Sequence, residues 1–415
     1  MGSHHGNRHA FGYTANNIYS FRFEADNYRY DRRCCKGVAR RMKPVLLLAT
    51  METKSEEVRY LHDRLEILDV PVEIIDVSLG SSGENWSTPK KLNQMQEVAE
   101  QVSSSLNKNL LERASVVVGL GGGTGGEIIL QILRDLPFDF PKILITTLPF
   151  DPREAVSDNS IILILTLTDI EGLNSSLRNV LNNTANMLAG LVTNDGSRNE
   201  TSKSIGLTTL GITQDASRKI TCLLRKAGHE TTSFHANGYG GAAFTRFAKA
   251  GSFYGVIDMT IHEITRIQVA GAHVDMPDRF TATGDLPRIV LPGGLNLIGL
   301  GEIDLVPVKY HDRPHYQHSG YFTHVKMSSE EMELACHALS VALNQSTGYT
   351  SVIIPMGGFS SEDCLGGIIE DKELRNIAAD CLQQKAKAYE VIKIDSHIND
   401  DDTAEFAVNS LLSSL

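Results

Sequence analysis

Short, nearly all-apolar runs alternate with helix-like segments from Met42 onward, and this pattern constrains the fold more than any other feature of the sequence. Runs such as "KPVLLLAT", "ASVVVGL" and "RIVLPGG" lack a polar face, which is typical of strands buried on both sides. Segments such as "LNQMQEVAEQVSSSLNKNLL" separate them and carry apolar residues at helical spacing. The pattern predicts an α/β protein with two Rossmann-like, doubly wound parallel-sheet domains and a ligand cleft between them.

A polar stretch, "TNDGSRNETSKS" (193–204), divides the pattern into two halves. It predicts a first domain over 42–195, which contains the glycine-rich loop, and a second domain over 203–415. The segment 1–41 is different, because it holds seven Arg and one Lys against three acidic residues and shows no apolar period. We expect a basic, disordered extension there, with a transit peptide as the alternative.

The composition of the chain indicates which kinds of partner and which cellular compartment to expect. The chain carries 50 acidic against 39 basic residues, a formal net charge of −11, which argues against nucleic acid as the main partner. Its six cysteines show no CxxC spacing, so reduced thiols in a cytoplasmic protein are expected. No apolar run approaches the roughly 20 residues of a membrane span.

Four glycine turns each follow an apolar strand: "GLGGGTGG" (119–126), "HANGYGG" (235–241), "LPGGLN" (291–296) and "PMGGFSS" (355–361). Ligands of parallel sheets bind at the carboxyl ends of strands, where glycine lets backbone amides approach an anion. The alternative is that these glycines only provide positive φ angles. The candidate phosphate contacts are Gly121, Gly122, Gly123, Thr124, Gly125, Gly126, Gly238, Gly240, Gly241, Gly293, Gly294, Gly357 and Gly358.

The first turn matches neither familiar phosphate motif completely. Gly121, Gly123 and Gly126 fit G-x-G-x-x-G, but they follow the third strand, and the next strand ends without an acidic residue for a ribose. Glu127 and Ile128 stand where a P-loop needs Lys and Ser or Thr. NAD is therefore disfavoured and a P-loop is excluded, which leaves a phosphate held by backbone amides with Thr124.

Four polar residues are candidate catalytic groups. Asp258 ends a strand, where it could bind Mg²⁺ or a hydroxyl, or simply form a turn. His235 precedes a glycine turn, where it could transfer a proton or hold backbone. Glu263 follows Thr260 by three residues, so a helix capping box explains it as well as catalysis does. His318 is the fourth candidate.

Histidines are concentrated in the segment "HDRPHYQHSGYFTH" (311–324). His311, His315, His318 and His324 lack the spacing of a helical metal pair, so a loop is expected there, with a metal site as the alternative. His262, inside the predicted capping box, is expected to be a solvated helix residue.

Seven segments stand in order from Met42 to about Phe406: "LATMETKSEEVRYL", "GLGGGTGGEIILQILRDLPFDFPKILITT", "SIGLTTLGITQDASRKITCLLRKAGHETTSFHANGYGG", "GVIDMTIHEI", "LPGGLNLIGLG", "PMGGFSSED" and "DSHINDD". Together they resemble the family of the plant tobamovirus-replication inhibitor and its uncharacterised bacterial and fungal relatives. The resemblance implies two Rossmann-like subdomains, ATP as a nucleotide between or beside them, and a homodimer. Relatives that carry a further barrel-type domain imply that a separate barrel-type enzyme could be a partner.

This sequence departs from the family pattern at a few positions. Glu52 stands where relatives usually have Asp, and His318-Ser319-Gly320 stands where they usually have His-Asn-Pro. Lys326 replaces a usual Arg, which keeps the charge but loses the planar fork of donors. The resemblance makes Lys326 a candidate ligand contact, and the replacement could change which ligand is held.

Three functions remain open at this point. The leading prediction is an ATP-binding, two-domain protein whose downstream activity is unknown. One alternative is an enzyme that acts on a small phosphorylated or carboxylated metabolite, with His235, Asp258, Glu263, His318 and Lys326 as its acid, base and anion contacts. The other is a non-enzymatic interaction or inhibitor protein.

Overall fold

A computed structural model describes residues 42–80, 86–147, 151–193, 203–271 and 274–415. Residues 42–415 form one compact unit that contains two large parallel sheets flanked by helices. The predicted α/β class with two Rossmann-like halves is therefore confirmed. The predicted extension at 1–41 lies outside the described residues, and so does most of the predicted linker. The domain limits 42–195 and 203–415 stay predictions.

The first sheet has five parallel strands in the order β2-β1-β3-β4-β5. Alternate residues of β1 face opposite sides, as the two-residue period of a strand requires, and both sides are buried. This explains why β1 is apolar throughout. The strands are β1 (Val45–Ala49), β2 (Val72–Asp76), β3 (Val116–Gly121), β4 (Lys142–Thr146) and β5 (Ile162–Leu165).

Helices cover both faces of this sheet. Val58 and Leu61 of α1 pack with Leu177 of α6 on one face, and Met95 of α2 packs with Ile129 of α4 on the other. The helices are α1 (Met51–Ile67), α2 (Thr88–Asn107), α3 (Leu110–Arg113), α4 (Gly123–Asp135), α5 (Arg153–Val156) and α6 (Ser175–Thr193).

The second sheet has six parallel strands in the order β14-β13-β9-β8-β6-β7. The chain moves outward from β6 to β7 and then returns across β6 to β8, so the direction of winding reverses between β6 and β8. Its strands are β6 (Ser204–Thr209), β7 (Thr231–His235), β8 (Phe253–Thr260), β9 (Arg288–Gly293), β13 (Thr350–Pro355) and β14 (Glu390–Ile394).

Helices also cover both faces of the second sheet. Ile220 of α7 and Ala407 of α12 belong to one buried cluster, whereas Leu339 of α10 and Ala378 of α11 belong to the cluster on the other face. The helices are α7 (Gln214–Lys226), α8 (Tyr239–Lys249), α9 (Glu263–Gln268), α10 (Ser329–Leu343), α11 (Lys372–Lys385) and α12 (Asp401–Leu412). Ser328 and Glu331 form a capping box at the start of α10.

A small antiparallel sheet, in the order β10-β12-β11, lies between β9 and α10 in the chain. Its strands are β10 (Leu297–Leu300), β11 (His315–Ser319) and β12 (Phe322–Lys326). The loop expected over 311–324 is therefore wrong, since β11 and β12 form a hairpin there. The residues of β11 are all polar or aromatic, which hid the strand from a pattern based on apolar runs.

The two halves pack directly against each other. The Phe138 ring lies 4.4 Å from the Phe247 ring, centroid to centroid. Arg246 on α8 donates to the Arg134 carbonyl at 3.1 Å, near the end of α4, and pairs with Asp158 at 3.3 Å. A cavity of about 430 Å³ adjoins this contact and is lined by residues of both halves. Among its described lining residues, Asp151, Asp158 and Asp275 are acidic and Arg134 is the only basic residue. The expected ligand in a cleft between the halves stays a prediction.

Candidate functional site

The glycine turn at 121–126 lies at the point where the winding of the first sheet reverses, between β1 and β3. A Cβ on Gly121 would lie 2.5 Å from the Gly126 nitrogen, and one on Gly126 would lie 2.8 Å from Thr146 Oγ1. A Cβ on Gly125 would approach Thr50 Oγ1 to 3.2 Å. These three glycines therefore allow close packing of the turn, whereas Gly122 faces open space.

Polar groups surround the start of α4, which follows this turn. Lys91 Nζ donates to Thr124 Oγ1 at 2.8 Å, and the Thr50 and Thr53 hydroxyls lie 3.1 Å apart nearby. Gly123, the first helical residue, is exposed. The first amides of a helix have no intrahelical acceptor, and the helix dipole adds a partial positive charge. An ammonium group beside this helix end makes the place favourable for an anion.

The glycine turns of the second half differ, because their amides already have acceptors within the protein. Two of these amides donate to side chains: the Gly238 amide to Glu263 Oε1 at 2.9 Å and the Gly240 amide to Asn237 Oδ1 at 3.2 Å. Three donate to backbone carbonyls: Gly294 to Phe359 at 3.0 Å, Gly357 to Ser396 at 2.8 Å and Gly358 to Pro355 at 3.2 Å. Phosphate contact at these glycines stays a prediction, and it would require each amide to exchange its present acceptor.

Internal packing also accounts for glycine at these positions. Gly238, Gly294 and Gly358 have φ angles of +100°, +68° and +146°, a region that favours glycine. A Cβ on Gly241 would collide with the Glu263 carboxylate, and one on Gly293 would collide with the Met259 carbonyl. The loops that follow β6, β9, β13 and β14 are thus bonded to one another at the carboxyl edge of the second sheet.

A buried ion network lies beneath this edge. Arg279 donates from both terminal nitrogens to the two Asp258 oxygens at 2.8 Å, and from Nε to Glu263 Oε2 at 2.7 Å. Thr208 Oγ1 also donates to Asp258 at 2.7 Å. Burial opposes the charge on Arg279, but the two carboxylates outweigh it and raise the pKa of the guanidinium. Sequence reasoning missed Arg279, which follows no recognised motif.

This network bears on two predicted roles. Both carboxylate oxygens of Asp258 accept hydrogen bonds from Arg279, so a Mg²⁺ ion would have to displace one of these bonds. The Mg²⁺ site at Asp258 stays a prediction. The capping box expected at Thr260 and Glu263 is wrong, since α9 begins at Glu263 without a side-chain cap. The Glu263 carboxylate instead binds the amide of Gly238, which precedes α8.

Histidines from four segments meet at the same edge. The rings of His318 and His324 stack with centroids 5.2 Å apart, and the His262 ring lies 6.1 Å from that of His324. Cε1 of His318 lies 3.4 Å from where a Cβ on Gly211 would stand. His235 is exposed, and its pKa is lowered by partial burial and by Arg266 and His318, against the opposing effect of Glu263.

The inner two histidines are held neutral. Burial lowers the pKa of His324 to about 4, helped by His318 and Arg266, and Tyr316 hydroxyl lies 2.9 Å from its Nδ1. His262 is fully buried, which holds its pKa well below the usual range, and its Nδ1 lies 3.1 Å from the Gly294 carbonyl. The expectation that His262 is solvated is therefore wrong, because the β10 strand covers the ring.

The structure brings together some candidates and separates others. His235, His318 and Glu263 share the carboxyl edge of the second sheet, and Asp258 connects to Glu263 through Arg279. Lys326 pairs with Asp371 at 2.9 Å. The turn at 121–126 belongs to the other sheet. The four histidines of 311–324 form no group with metal-ligand spacing in the described part of the chain, where His62, Asp63 and Glu66 make an exposed group with such spacing.

No helix in the described ranges is long and apolar enough to cross a membrane.

The similarity to known proteins covers most of the chain. A "UPF0261 protein" of Clostridium tetani is 28% identical over 391 residues, covering 87% of this chain and 96% of the relative. One from Rhizobium meliloti is 29% identical over 392 residues, covering 88% of this chain and 98% of the relative. The "ToMV susceptible protein" of Solanum lycopersicum is 26% identical over 419 residues, covering 89% of this chain but 55% of the tomato protein.

Two family models match consecutive parts of the sequence. The N-terminal domain of the uncharacterised protein family UPF0261 matches residues 81–197, and the C-terminal domain of that family matches residues 202–415. The two matches meet in the polar stretch that separates the halves. The chain therefore belongs to the uncharacterised protein family UPF0261, in agreement with the resemblance that its seven ordered segments indicated.

Proposed function

We propose that this chain binds ATP or a closely similar nucleotide, with the phosphates at the start of α4. The observation that carries the proposal is the Lys91 ammonium bonded to Thr124 at an exposed helix N-terminus where the winding of the first sheet reverses. Doubly wound sheets bind ligands at such points, and helix starts favour phosphate. Mg²⁺ would arrive with the nucleotide phosphates, whose oxygens are its preferred ligands.

Removal of the Lys91 charge tests this site. We expect the wild-type chain to bind ATP with Mg²⁺ in titration calorimetry, and Lys91→Met to weaken binding at least tenfold, because a charge-assisted contact to phosphate is lost. Lys90→Met is the matched control, since it removes the same charge from the neighbouring residue of α2, whose ammonium lies over the Trp86 ring instead.

Two results would contradict the proposal. One is the absence of binding heat at millimolar nucleotide. The other is an equal loss of affinity in Lys90→Met and Lys91→Met, which would show that general charge, rather than the contact at Thr124, attracts the nucleotide.

One observation favours the enzymatic alternative. His235 and His318, both exposed, come together at the carboxyl edge of the second sheet from distant parts of the chain. Imidazoles can accept and return protons near neutral pH. A small phosphorylated or carboxylated metabolite remains our proposed substrate class for such an enzyme, and a separate barrel-type chain remains a proposed partner.

A different observation favours an interaction role. The edge strand β5 exposes Ile162 and Leu165, and Leu167 beyond it is 90% exposed. An apolar edge strand offers unpaired backbone groups to another chain. We propose a homodimer on this basis, and sedimentation velocity of the chain alone would distinguish a dimer from a monomer.

A further inference from the structure

A groove in the second half runs along α7 toward the carboxyl end of the edge strand β7. Its volume is about 540 Å³, enough for a small metabolite. The end of β6 and His235 form one wall, and one face of α7 forms the other. The lining residues are Thr209, Leu210, Gly211, Gln214, Ser217, Arg218, Thr221, Cys222, Arg225 and His235.

The helical wall is held firmly in place. The lining positions of α7 recur every three or four residues, so they share one face of the helix. Ala216, Ile220 and Leu224 occupy the opposite side and are buried in the core with residues of β6 and α12. A ligand in the groove would therefore meet a surface that is already ordered, which lowers the entropic cost of binding.

The charges in this groove contrast with those of the chain as a whole. The protein carries 50 acidic against 39 basic residues, yet the described groove lining has Arg218, Arg225 and His235 and no carboxylate. The cavities next to Arg134 elsewhere in the molecule include acidic side chains in their linings. A basic lining on an acidic protein concentrates anions locally.

The two arginines keep most of their capacity for a ligand. Arg218 approaches Asp215 at 3.6 Å, but both side chains are about 70% exposed, and such pairs contribute little. No ion pair joins Arg225 to a carboxylate within the described ranges. Thr221 lies between the two arginines on the same helix face and Ser217 directly precedes Arg218, so both hydroxyls could donate to anionic oxygens.

Spacing along the helix indicates the kind of ligand. Arg218 and Arg225 are seven residues apart, which at the rise of an α-helix places them about 10 Å apart along its axis. α7 runs antiparallel to β6 and β7, so Arg218 lies toward the edge that carries His235 and Gly211, while Arg225 lies two turns away. His318 approaches Gly211 from the hairpin, beside the same end.

We propose that this groove binds a small metabolite with two anionic groups, one held near Arg218 and His235 and the other near Arg225. Phosphate and carboxylate share the oxygen geometry that a guanidinium fork recognises, so both belong to the ligand class. The proposal does not depend on nucleotide binding, because Lys91 and the turn at 121–126 belong to the first sheet.

Titration calorimetry with the full chain tests the proposal, with fructose 1,6-bisphosphate, glucose 6-phosphate and citrate as probes. We expect the bisphosphate or citrate to bind with a submillimolar Kd, and the monophosphate to bind at least tenfold more weakly than the better of the two. Whichever of the bisphosphate and citrate binds more tightly identifies phosphate or carboxylate as the preferred group.

Variants locate the binding. Arg218→Gln and Arg225→Gln are each expected to weaken binding of the better probe about tenfold. Lys226→Gln is the matched control, because it removes the same charge from an exposed residue of α7 outside the groove lining, and we expect its affinity to equal that of the wild type. Lys91→Met should also leave this affinity unchanged.

Three outcomes would overturn the proposal. The first is that neither fructose 1,6-bisphosphate nor citrate binds at millimolar concentration. The second is that Lys226→Gln weakens binding as much as Arg225→Gln does, which would indicate unspecific attraction. The third is that Lys91→Met abolishes binding, which would place the ligand at the first sheet. Circular dichroism melts of each variant separate lost binding from lost folding.

Discussion

His324 shows how a single side chain couples the fold to pH. Its ring is 7% exposed, contacts His318 and His262, and has a pKa of about 4 in the folded chain against an ordinary value near 6.5. Because the folded-state pKa is lowered, the unfolded chain binds the extra proton between these values. The contribution of His324 to stability is therefore present above pH 6.5 and is lost as the pH falls toward 4.

We predict that His324→Gln makes stability less sensitive to acid. Between pH 7 and pH 4, the free energy of unfolding of the wild type should fall by up to about 3 kcal/mol more than that of the variant, which is the linkage energy of this pKa shift. Urea denaturation at several pH values measures it. Parallel curves for the two proteins would show that His324 is not held neutral in the folded state.

At the residue scale, the sequence identified candidate residues but not their surroundings. His235 stands beside a glycine turn, Glu263 in an expected capping box and His318 in a histidine-rich segment, and the structure places all three at one edge. The burial of His262 and the pairing of Arg279 could not be predicted, because both depend on contacts with strands and helices that are distant in sequence.

At the scale of an element, the glycine turn at 238–241 shows how a buried side chain from another segment fixes the start of a helix. The α8 helix begins there, and its N-terminal amide at Gly238 is bound by the Glu263 carboxylate. The same carboxylate accepts from Arg279, and both side chains are fully buried. One acidic residue thus neutralises a buried arginine and stabilises the start of a helix on a neighbouring segment.

We predict that Glu263→Gln destabilises the protein by about 3 kcal/mol, because it removes one of the two carboxylates bonded to the buried Arg279 and the charged acceptor of the Gly238 amide. Urea denaturation at pH 7 measures the change. Asp215→Asn is the control, since it removes a carboxylate from an exposed pair and should change stability by less than about 1 kcal/mol. Equal effects of the two substitutions would contradict the role assigned to Glu263.

Strands made of apolar runs could be predicted from sequence, whereas the hairpin of β11 and β12 could not. The strands of both large sheets follow runs such as "SVVVGL" and "SVIIP", whose residues must be buried on both faces. The strand β11, "HYQHS", and its partner β12 gave no such signal, because their pairing depends on backbone bonds and on His324 packing rather than on an apolar face.

At the scale of the whole molecule, Arg246 joins the two halves. It donates to the carbonyls of Arg134 and Leu136 near the end of α4, where Lys142 also donates to Leu136 and Pro137. Two cations at a helix C-terminus complement its negative dipole. Burial, together with nearby Arg246, lowers the pKa of Lys142 to about 8.

We predict that Arg246→Ala weakens the coupling between the halves. Calorimetric unfolding, expected as one transition in the wild type, should broaden or divide into two, because the ion pair and the carbonyl contacts across the junction are lost. Lys249→Ala is the control, since it removes a cation of α8 whose exposed pair, with Asp278, stays within the second half. A uniform shift of one transition in both variants would contradict the prediction.

The architecture as a whole was predictable, because alternating strands and helices admit few topologies. How the halves contact one another was not, since Arg246 and Phe138 carry no signal of their role in the sequence. The cavity that adjoins the contact between the halves has an acidic lining, which could not be anticipated from residues as far apart as Asp158 and Asp275. None of the four glycine turns contributes a glycine to its described lining, and the expected ligand cleft stays a prediction.

The bonding of the glycine amides has a consequence for how each sheet edge moves. The amide hydrogens of Gly294 and Gly357 can exchange with solvent only when the loops that bind them separate, so the second edge should behave as one slow unit. Gly123 at the first edge is exposed and begins a helix, so its amide is open to exchange. Substitutions at the first edge could therefore alter its ligand without breaking hydrogen bonds between loops. Substitutions that break the bonds between loops at the second edge would also make that edge less rigid.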